Sequence, residues 1–339
     1  MVIHIIYFCF LSYILSHLFS PTKLRQFILP ILTILFMVFS NKASDASTLA
    51  MLLIISCITF QFLKFFKIKK AILKFIPFLF ATTILTYAHT HTYAFASGLS
   101  YICLIVSQNL LQQNLNLISF ARHQFQNIFV FPKLLVGPID IINESHIEKL
   151  EIDFKRILLG IIKLLIFLPI WRDIDHNYEI SLFAWNAEQI FKFAFIGVWH
   201  YVDLYVEFSG AIDIIIPTLK IYGIKSLENF NQPYLATSIE DFWRRWHISL
   251  GQWLMKNVYI PLGGNKNGLL LHSISIIIVM ISSALWHGVG INYLIWGLIQ
   301  SICIIFNKHF KFTSMPLPFK WCLTQLVVVI SWVVFFEFK

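Results

Sequence analysis

The residues that could carry chemistry gather in two stretches. Phe242–Lys266 reads FWRRWHISLGQWLMKNVYIPLGGNK, and Leu285–Gly288 reads LWHG. Together they hold two arginines, two histidines and four tryptophans, set inside or beside long runs of Ile, Leu and Phe. Ionisable groups are expensive in such surroundings, so their clustering marks a candidate site. A neutral imidazole, with an unperturbed pKa of about 6.5, is suited to general-base work. His287 lies between two apolar runs, and Gly288 and Gly290 leave room beside it for a substrate or another backbone. The same spacing fits a hydrogen-bonded structural histidine at a helix end. His247 either orients a substrate and works with His287, or is an interfacial histidine packed on Trp243.

Three carboxylates, Asp203, Glu207 and Asp213, fall in YVDLYVEFSGAIDIIIP. Asp203 and Glu207 are four apart and share a helix face. Unpaired carboxylates there would be costly, which makes Arg244, Arg245 or a histidine the expected partners. A structural ion-pair network inside the bundle is the preferred reading, with direct catalysis the alternative. PLGGN at Pro261–Asn265 reads as a turn, with a phosphate cradle as the alternative; it lacks the Lys-Ser/Thr of a P-loop. His89 and His91, in THTH, are two ligands at most and do not make a metal site. No G-x-S-x-G, Walker A, H-E-x-x-H or Rossmann fingerprint occurs, which disfavours hydrolases, pumps and proteases of those types.

What positions these groups is an apolar chain. Of 339 residues, 58% are hydrophobic and 13% charged, against about a quarter charged in soluble domains. An all-α polytopic membrane bundle is expected, since lipid leaves backbone groups only helical partners. Apolar segments run over 2–19, 27–40, 46–63, 71–88, 93–111, 154–171, 180–206, 208–223, 269–286, 289–306 and 319–338. At about 20 residues per crossing they predict about nine to eleven transmembrane helices. The run 2–19 lacks a basic flank and a cleavage site, and reads as a first span and not as a cleaved signal.

Two regions depart from the spanning pattern. Phe120–Asn143, broken by Pro132, Gly137 and Pro138, predicts a re-entrant or interfacial piece. Asn229–Asn267 predicts a Trp-rich interfacial helix with Phe242, Trp246 and Leu250 on one face and Trp243 and His247 on another. The whole chain, 1–339, reads as one membrane domain with its motifs in 131–297.

The net charge of +9 comes from residues that bracket apolar runs. Lys23 and Arg25, then Lys64, Lys67, Lys69, Lys70 and Lys74, place loops one and three in the cytoplasm and the N-terminus outside. Nucleic-acid binding is disfavoured, because no aromatic–basic signature appears. The five cysteines all lie in apolar runs and read as small buried hydrophobes.

Four blocks, in order, carry a family resemblance. FPKLLVGPI (Phe131–Ile139), YVEFSGAID (Tyr205–Asp213), LENFNQPYLATSIEDFWRRWHISLGQWLMKNVYIPLGGNK (Leu227–Lys266) and LWHGVGINYLIWG (Leu285–Gly297) resemble the motifs of the membrane-bound O-acyltransferases. The likeness is to the bacterial branch of alginate O-acetylation and teichoic-acid D-alanylation. The resemblance implies a helical bundle around a funnel or tunnel in a bacterial inner membrane. It places the family's catalytic histidine on His287 and its second histidine on His247.

The resemblance further implies a cytoplasmic acyl thioester donor (acetyl-CoA or an acyl carrier protein), no bound cofactor and no metal. It implies an acceptor hydroxyl approaching from outside, on an exported glycan or through a periplasmic or extracellular acyltransferase partner. Trp243, Arg244, Arg245, Trp246, Trp286, Asn292, Asp213 and Glu207 are the expected supporting residues. YIPLGGNK and LENFNQPY resemble the polysaccharide O-acetylase subgroup more than the D-alanylation subgroup. D-alanyl or other acyl transfer to teichoic acid, lipid or protein is the alternative, and a non-enzymatic transporter or scaffold the second. The chain departs from the family pattern at Lys256, Asn257, Glu207 and Ala211. SWVVFFEFK (331–339) resembles the family's W-x-x-F-F-R-A region without the helices that often follow, which leaves partner contacts and full activity as open expectations.

Overall fold

The computed structural model describes residues 25–39, 43–65, 96–110, 115–130, 133, 136–140, 153–174, 186–222, 224–266, 268–309 and 315–338. The expected spans at 2–19 and 71–88, the THTH pair and the whole Lys67–Lys74 stretch lie outside these residues. All the regular elements among the described residues are helical.

By internal packing the chain divides into two units. The first takes Met1–Leu159 with Ala211–Glu228; the second takes Gly160–Gly210 with Asn229–Lys339. In the first, α1 (Arg25–Phe39), α2 (Ala43–Phe65), α3 (Ala96–Asn109) and α4 (Leu117–Ile128) pack on one another. Phe60 of α2 stacks on Phe120 of α4 with ring centroids 3.9 Å apart. Asn109 and Gln124, both fully buried, close a hydrogen bond of 3.0 Å between α3 and α4. The block after α4 is held by a buried Lys133–Asp140 ion pair. The other oxygen of Asp140 accepts from the Ser226 hydroxyl (2.7 Å) and the Leu227 N–H (2.8 Å). An interfacial piece was expected here; what the described residues show is a buried carboxylate knitting this block to Ser226–Leu227.

In the second unit, α5 (Phe154–Ile162) runs on through a π-helical turn at Lys163–Phe167 into α6 (Leu168–Arg172). The boundary between the units falls within α5 and again within α7 (Ala187–Ile221). The expected separate segments 180–206 and 208–223 are thus one 35-residue helix. Ser209 and Gly210 do not break it, because side chains of the preceding helix pack onto it there: a Cβ on Gly210 would stand 3.0 Å from Leu164 and Lys163 atoms.

The unit is completed by α8 (Ile239–Arg245), α9 (Ile248–Leu254), a π-helical turn at Met255–Tyr259, and three long helices. These are α10 (Gly268–His287), α11 (Ile291–His309) and α12 (Leu317–Glu337). Over 268–287, 291–308 and 317–337 they are long and apolar enough to cross a membrane. Leu270, Ile302 and Leu317 are each more than 60% exposed, which suits lipid as the outer solvent.

Gly297 lets α11 approach α10. A Cβ there would lie 2.9 Å from the Met280 carbonyl oxygen and 3.0 Å from Ala284 Cβ. Close approach through small residues is how membrane helices gain packing energy without a hydrophobic effect between them. Gly297→Val is expected to cost about 1–3 kcal/mol of stability by overpacking, read as a lower thermal midpoint in detergent.

Candidate active site

His247 is placed by its backbone. The Ser238 hydroxyl caps α8 by accepting from the Asp241 N–H at 3.0 Å. Glu240 and Asp241 in the first turn, with Arg244 and Arg245 in the last, complement the helix dipole. The helix then stops. Trp246 is extended (φ −106°, ψ 130°) and bridges antiparallel to Phe230. His247 adopts the left-handed conformation at φ 44°, ψ 52° before α9 begins, a geometry that costs about 1–2 kcal/mol for a residue other than glycine.

Asn229, fully buried, holds this turn. Its carbonyl accepts the Ile248 N–H at 3.0 Å and its side-chain oxygen accepts the Ser249 N–H at 3.2 Å. The Asn231 N–H reaches the Arg245 carbonyl at 2.9 Å. The single interfacial helix expected across this block is therefore two short helices with a clamped turn between them. Phe242, Trp246 and Leu250 are all buried, as a shared face would require, but the turn re-aims His247.

His247 is 4% exposed, with its ring edge-on to Phe208 (4.8 Å) and to Trp286 (5.5 Å). Burial, reinforced by repulsion from His287, lowers its pKa to about 3, so the imidazole is neutral at physiological pH. His287 ends α10 and is partly buried. Around its ring stand Trp286 (4.6 Å), Phe335 (4.9 Å), Trp296 (5.7 Å) and Tyr293 (6.3 Å). The two histidines thus share one indole, that of Trp286. Gly288 and Gly290 have immediate packing reasons. A Cβ at 288 would lie 2.6 Å from the Tyr293 ring, and one at 290 would run into the Asn292 amide oxygen.

The other expected supporting residues divide. Trp243, Trp246, Trp286 and Asn292 lie in or against the aromatic cluster around the histidines. The Trp243 N–H donates to Gln300 at 3.0 Å, and the Asn292 amide donates to the Phe335 carbonyl at 2.6 Å. Arg244 pairs with Glu240, and Arg245 grips both oxygens of Asp241 at 3.0 Å. The expected pairing of these arginines with the intramembrane carboxylates is corrected: Arg172 binds Asp203 (2.6 Å) and Glu207 (2.8 Å). In the first unit Arg156 binds Asp213 (3.0 Å) and Glu228 (2.6 Å).

At PLGGN, Leu262, Gly263, Gly264 and Lys266 donate their N–H groups to nearby backbone carbonyls, which makes it a turn. Among the described residues no group of three or more His, Cys, Asp or Glu could hold a metal. Sequence reasoning missed Asn229, Arg156 and Arg172. Arg172 had a recoverable signature, an arginine at the end of an apolar run; Asn229 had none outside its block.

Residues 36–338 match the membrane-bound O-acyltransferase family, and the chain belongs to it. It is a member of a polytopic membrane family, and its described helices agree. It is 33% identical over 234 residues to the probable alginate O-acetylase AlgI of Pseudomonas syringae, covering 65% of this chain and 43% of that protein. To the peptidoglycan O-acetyltransferase of Helicobacter pylori it is 32% identical over 254 residues, 68% of this chain and 47% of that protein. To the teichoic acid D-alanyltransferase of Bacillus subtilis it is 27% identical over 230 residues, 60% and 56% of the two chains. The matches thus span about half the length of these curated relatives.

Two outcomes follow from the geometry. Unfolded, His247 takes up a proton near pH 6.5; folded, only near 3. The unfolded state therefore binds more protons between these values, and acidification through that window favours unfolding. The thermal midpoint of the wild type should fall on going from pH 7 to 5 by more than that of His247→Gln. Asn229→Ala, which leaves the Ser249 N–H without its acceptor, should destabilise by about 1–3 kcal/mol, whereas Asn229→Asp, which keeps the acceptor, should lose less in the same melt.

Proposed function

We propose that this protein is an O-acetyltransferase, moving an acetyl group from a cytoplasmic thioester to a hydroxyl of an exported cell-envelope polysaccharide. The observation that carries the reading is the pair of histidines on one indole, at the end of α10 and in the clamped turn, in a chain of this family. His287 acts as general base. It takes the proton of the acceptor hydroxyl as that oxygen attacks the thioester carbonyl, and returns it to the departing thiolate as the C–S bond breaks. Transfer is direct, with no acyl-enzyme.

His247, neutral and buried, orients the acceptor or the His287 ring. Asn292 supports the site from behind through the Phe335 carbonyl. Trp243, Trp246 and Trp286 wall it. Arg244 and Arg245 are the basic groups on the helix leading into His247, and Glu207 supports from α7 through its pair with Arg172. Acetyl is favoured over D-alanyl because identity is higher to the O-acetylases, 32% to 33%, than to the D-alanyltransferase at 27%. The chain acts as one inner-membrane domain with its N-terminus outside, meeting the acceptor itself or through a partner acyltransferase.

The test is the O-acetyl content of envelope polysaccharides, by NMR, in a deletion strain complemented with wild type or His287→Ala. Wild type should restore the acetyl signal and His287→Ala, at equal membrane abundance, should leave it at the deletion level. Equal restoration by both removes the base assignment. No acetyl change in any strain removes acetyl transfer, and D-alanyl content becomes the quantity to measure.

A further inference from the structure

Among the described residues, the indole N–H groups of Trp296 and Trp332 and the Tyr201 hydroxyl, in the aromatic cluster around His287, have no acceptor. Trp296 is 1% exposed and Trp332 is 2% exposed. Among the described residues neither indole nitrogen has a hydrogen-bond partner, and neither does the buried Tyr201 hydroxyl. A buried indole N–H usually finds an acceptor, and leaving it without one carries the full desolvation penalty. The Trp296 ring stands 5.7 Å from the His287 ring, at 86° to it. Trp332, on α12, lies 6.1 Å from Trp296 and 5.4 Å from Trp246, the residue before His247.

Four other donors of the site residues are committed. Trp243 gives its N–H to Gln300, Asn292 gives its amide to the Phe335 carbonyl, and Arg244 and Arg245 hold carboxylates. Acyl transfer next to His287 needs a donor for one more oxygen. As the acceptor oxygen bonds to the thioester carbon, the hydroxyl proton passes to the imidazole and the carbonyl π pair collects on oxygen. That charge disperses when the C–S bond breaks and the thiolate takes the proton back. Fixed N–H dipoles in a dry, low-dielectric setting are effective stabilisers of such an oxyanion.

We propose that the indole N–H of Trp296, with that of Trp332 beside it, receives the carbonyl oxygen of the acyl thioester and the oxyanion it becomes. The proposal rests on the acyl-transfer reading of His287.

The experiment uses the full chain in nanodiscs with acetyl-CoA labelled with carbon-13 at the thioester carbonyl. Trp296 is replaced by Phe and, in a second variant, by benzothienylalanine, which keeps the bicyclic shape with sulfur in place of N–H. Both replacements should lower kcat about 100-fold. For benzothienylalanine the thermal midpoint should be unchanged, and the KM for acetyl-CoA should rise far less than kcat falls. The infrared carbonyl band of bound acetyl-CoA, red-shifted in wild type, should move back toward its free position in both.

Wild-type turnover or an unmoved carbonyl band with benzothienylalanine at 296 overturns the proposal and assigns the N–H to water. If that variant is active while His287→Ala is dead, the donor assignment alone falls. If wild type neither transfers acetyl nor shows a bound carbonyl band, or if His287→Ala retains full turnover, the acetyl-transfer reading falls and this proposal with it.

Discussion

An apolar surrounding gives a charge no water to fall back on, and most of what holds this chain in register follows from that. Arg172 at the end of α6 meets Asp203 and Glu207 of α7; Arg156 of α5 meets Asp213 and Glu228; Lys133 is buried on Asp140. Replacing such pairs with well-packed apolar residues is often neutral or stabilising, whereas deleting one partner is severe. Their effect is therefore read best as register. The Arg172–Asp203 and Arg156–Asp213 pairs fix which turn of one helix faces which turn of another, between residues 31 and 57 positions apart, where uniform Ile and Leu faces would slide.

The site is built by the same constraint applied to the backbone. A helix that simply continued from α8 into α9 would have carried His247 on a regular face. It is broken instead by the extended Trp246 and the left-handed His247, and the exposed N–H groups of α9 are given to Asn229. The strain in one residue is offset by two backbone–backbone hydrogen bonds, at the isolated β-bridge of Trp246 to Phe230, and one to the Asn229 side chain. What results is a neutral imidazole fixed edge-on to an indole whose other neighbour is His287. Rigidity of this kind suits a base and an orienting group, since both need a defined proton position before substrate arrives.

Aromatic side chains make up the remainder of the wall. Trp286, Trp296, Tyr293 and Phe335 surround His287 from α10, α11 and α12, and the Asn292 amide ties α11 to the Phe335 carbonyl of α12. Such a lining is largely apolar, and among the described residues its buried Trp296 N–H has no acceptor. The family relatives named for alginate, peptidoglycan and teichoic acid differ in what those names say they modify. The aromatic packing around His287 is independent of that difference.

How much was legible beforehand depends on the kind of information. The helical membrane class followed from composition, because no other backbone arrangement satisfies itself in lipid. Both histidines and their tryptophans could be picked out because charged and polar residues are rare in such a chain, and their blocks resembled those of a known family. The ion-pair partners were misassigned: Arg244 and Arg245 lie close to the histidines in sequence, but their carboxylates are one turn back on their own helix, at Glu240 and Asp241. Periodicity likewise continued a helix through His247, since nothing in a 3.6-residue pattern encodes the hydrogen bonds that the Ile248 and Ser249 N–H groups give to Asn229, about twenty positions earlier. The sequence by itself determined the solvent the protein lives in and the residue types available for chemistry, since both are set by local composition. Which guanidinium meets which carboxylate, where His247 points and which indole N–H groups are left without an acceptor were decided only by the tertiary structure, because each depends on a partner brought in from another helix.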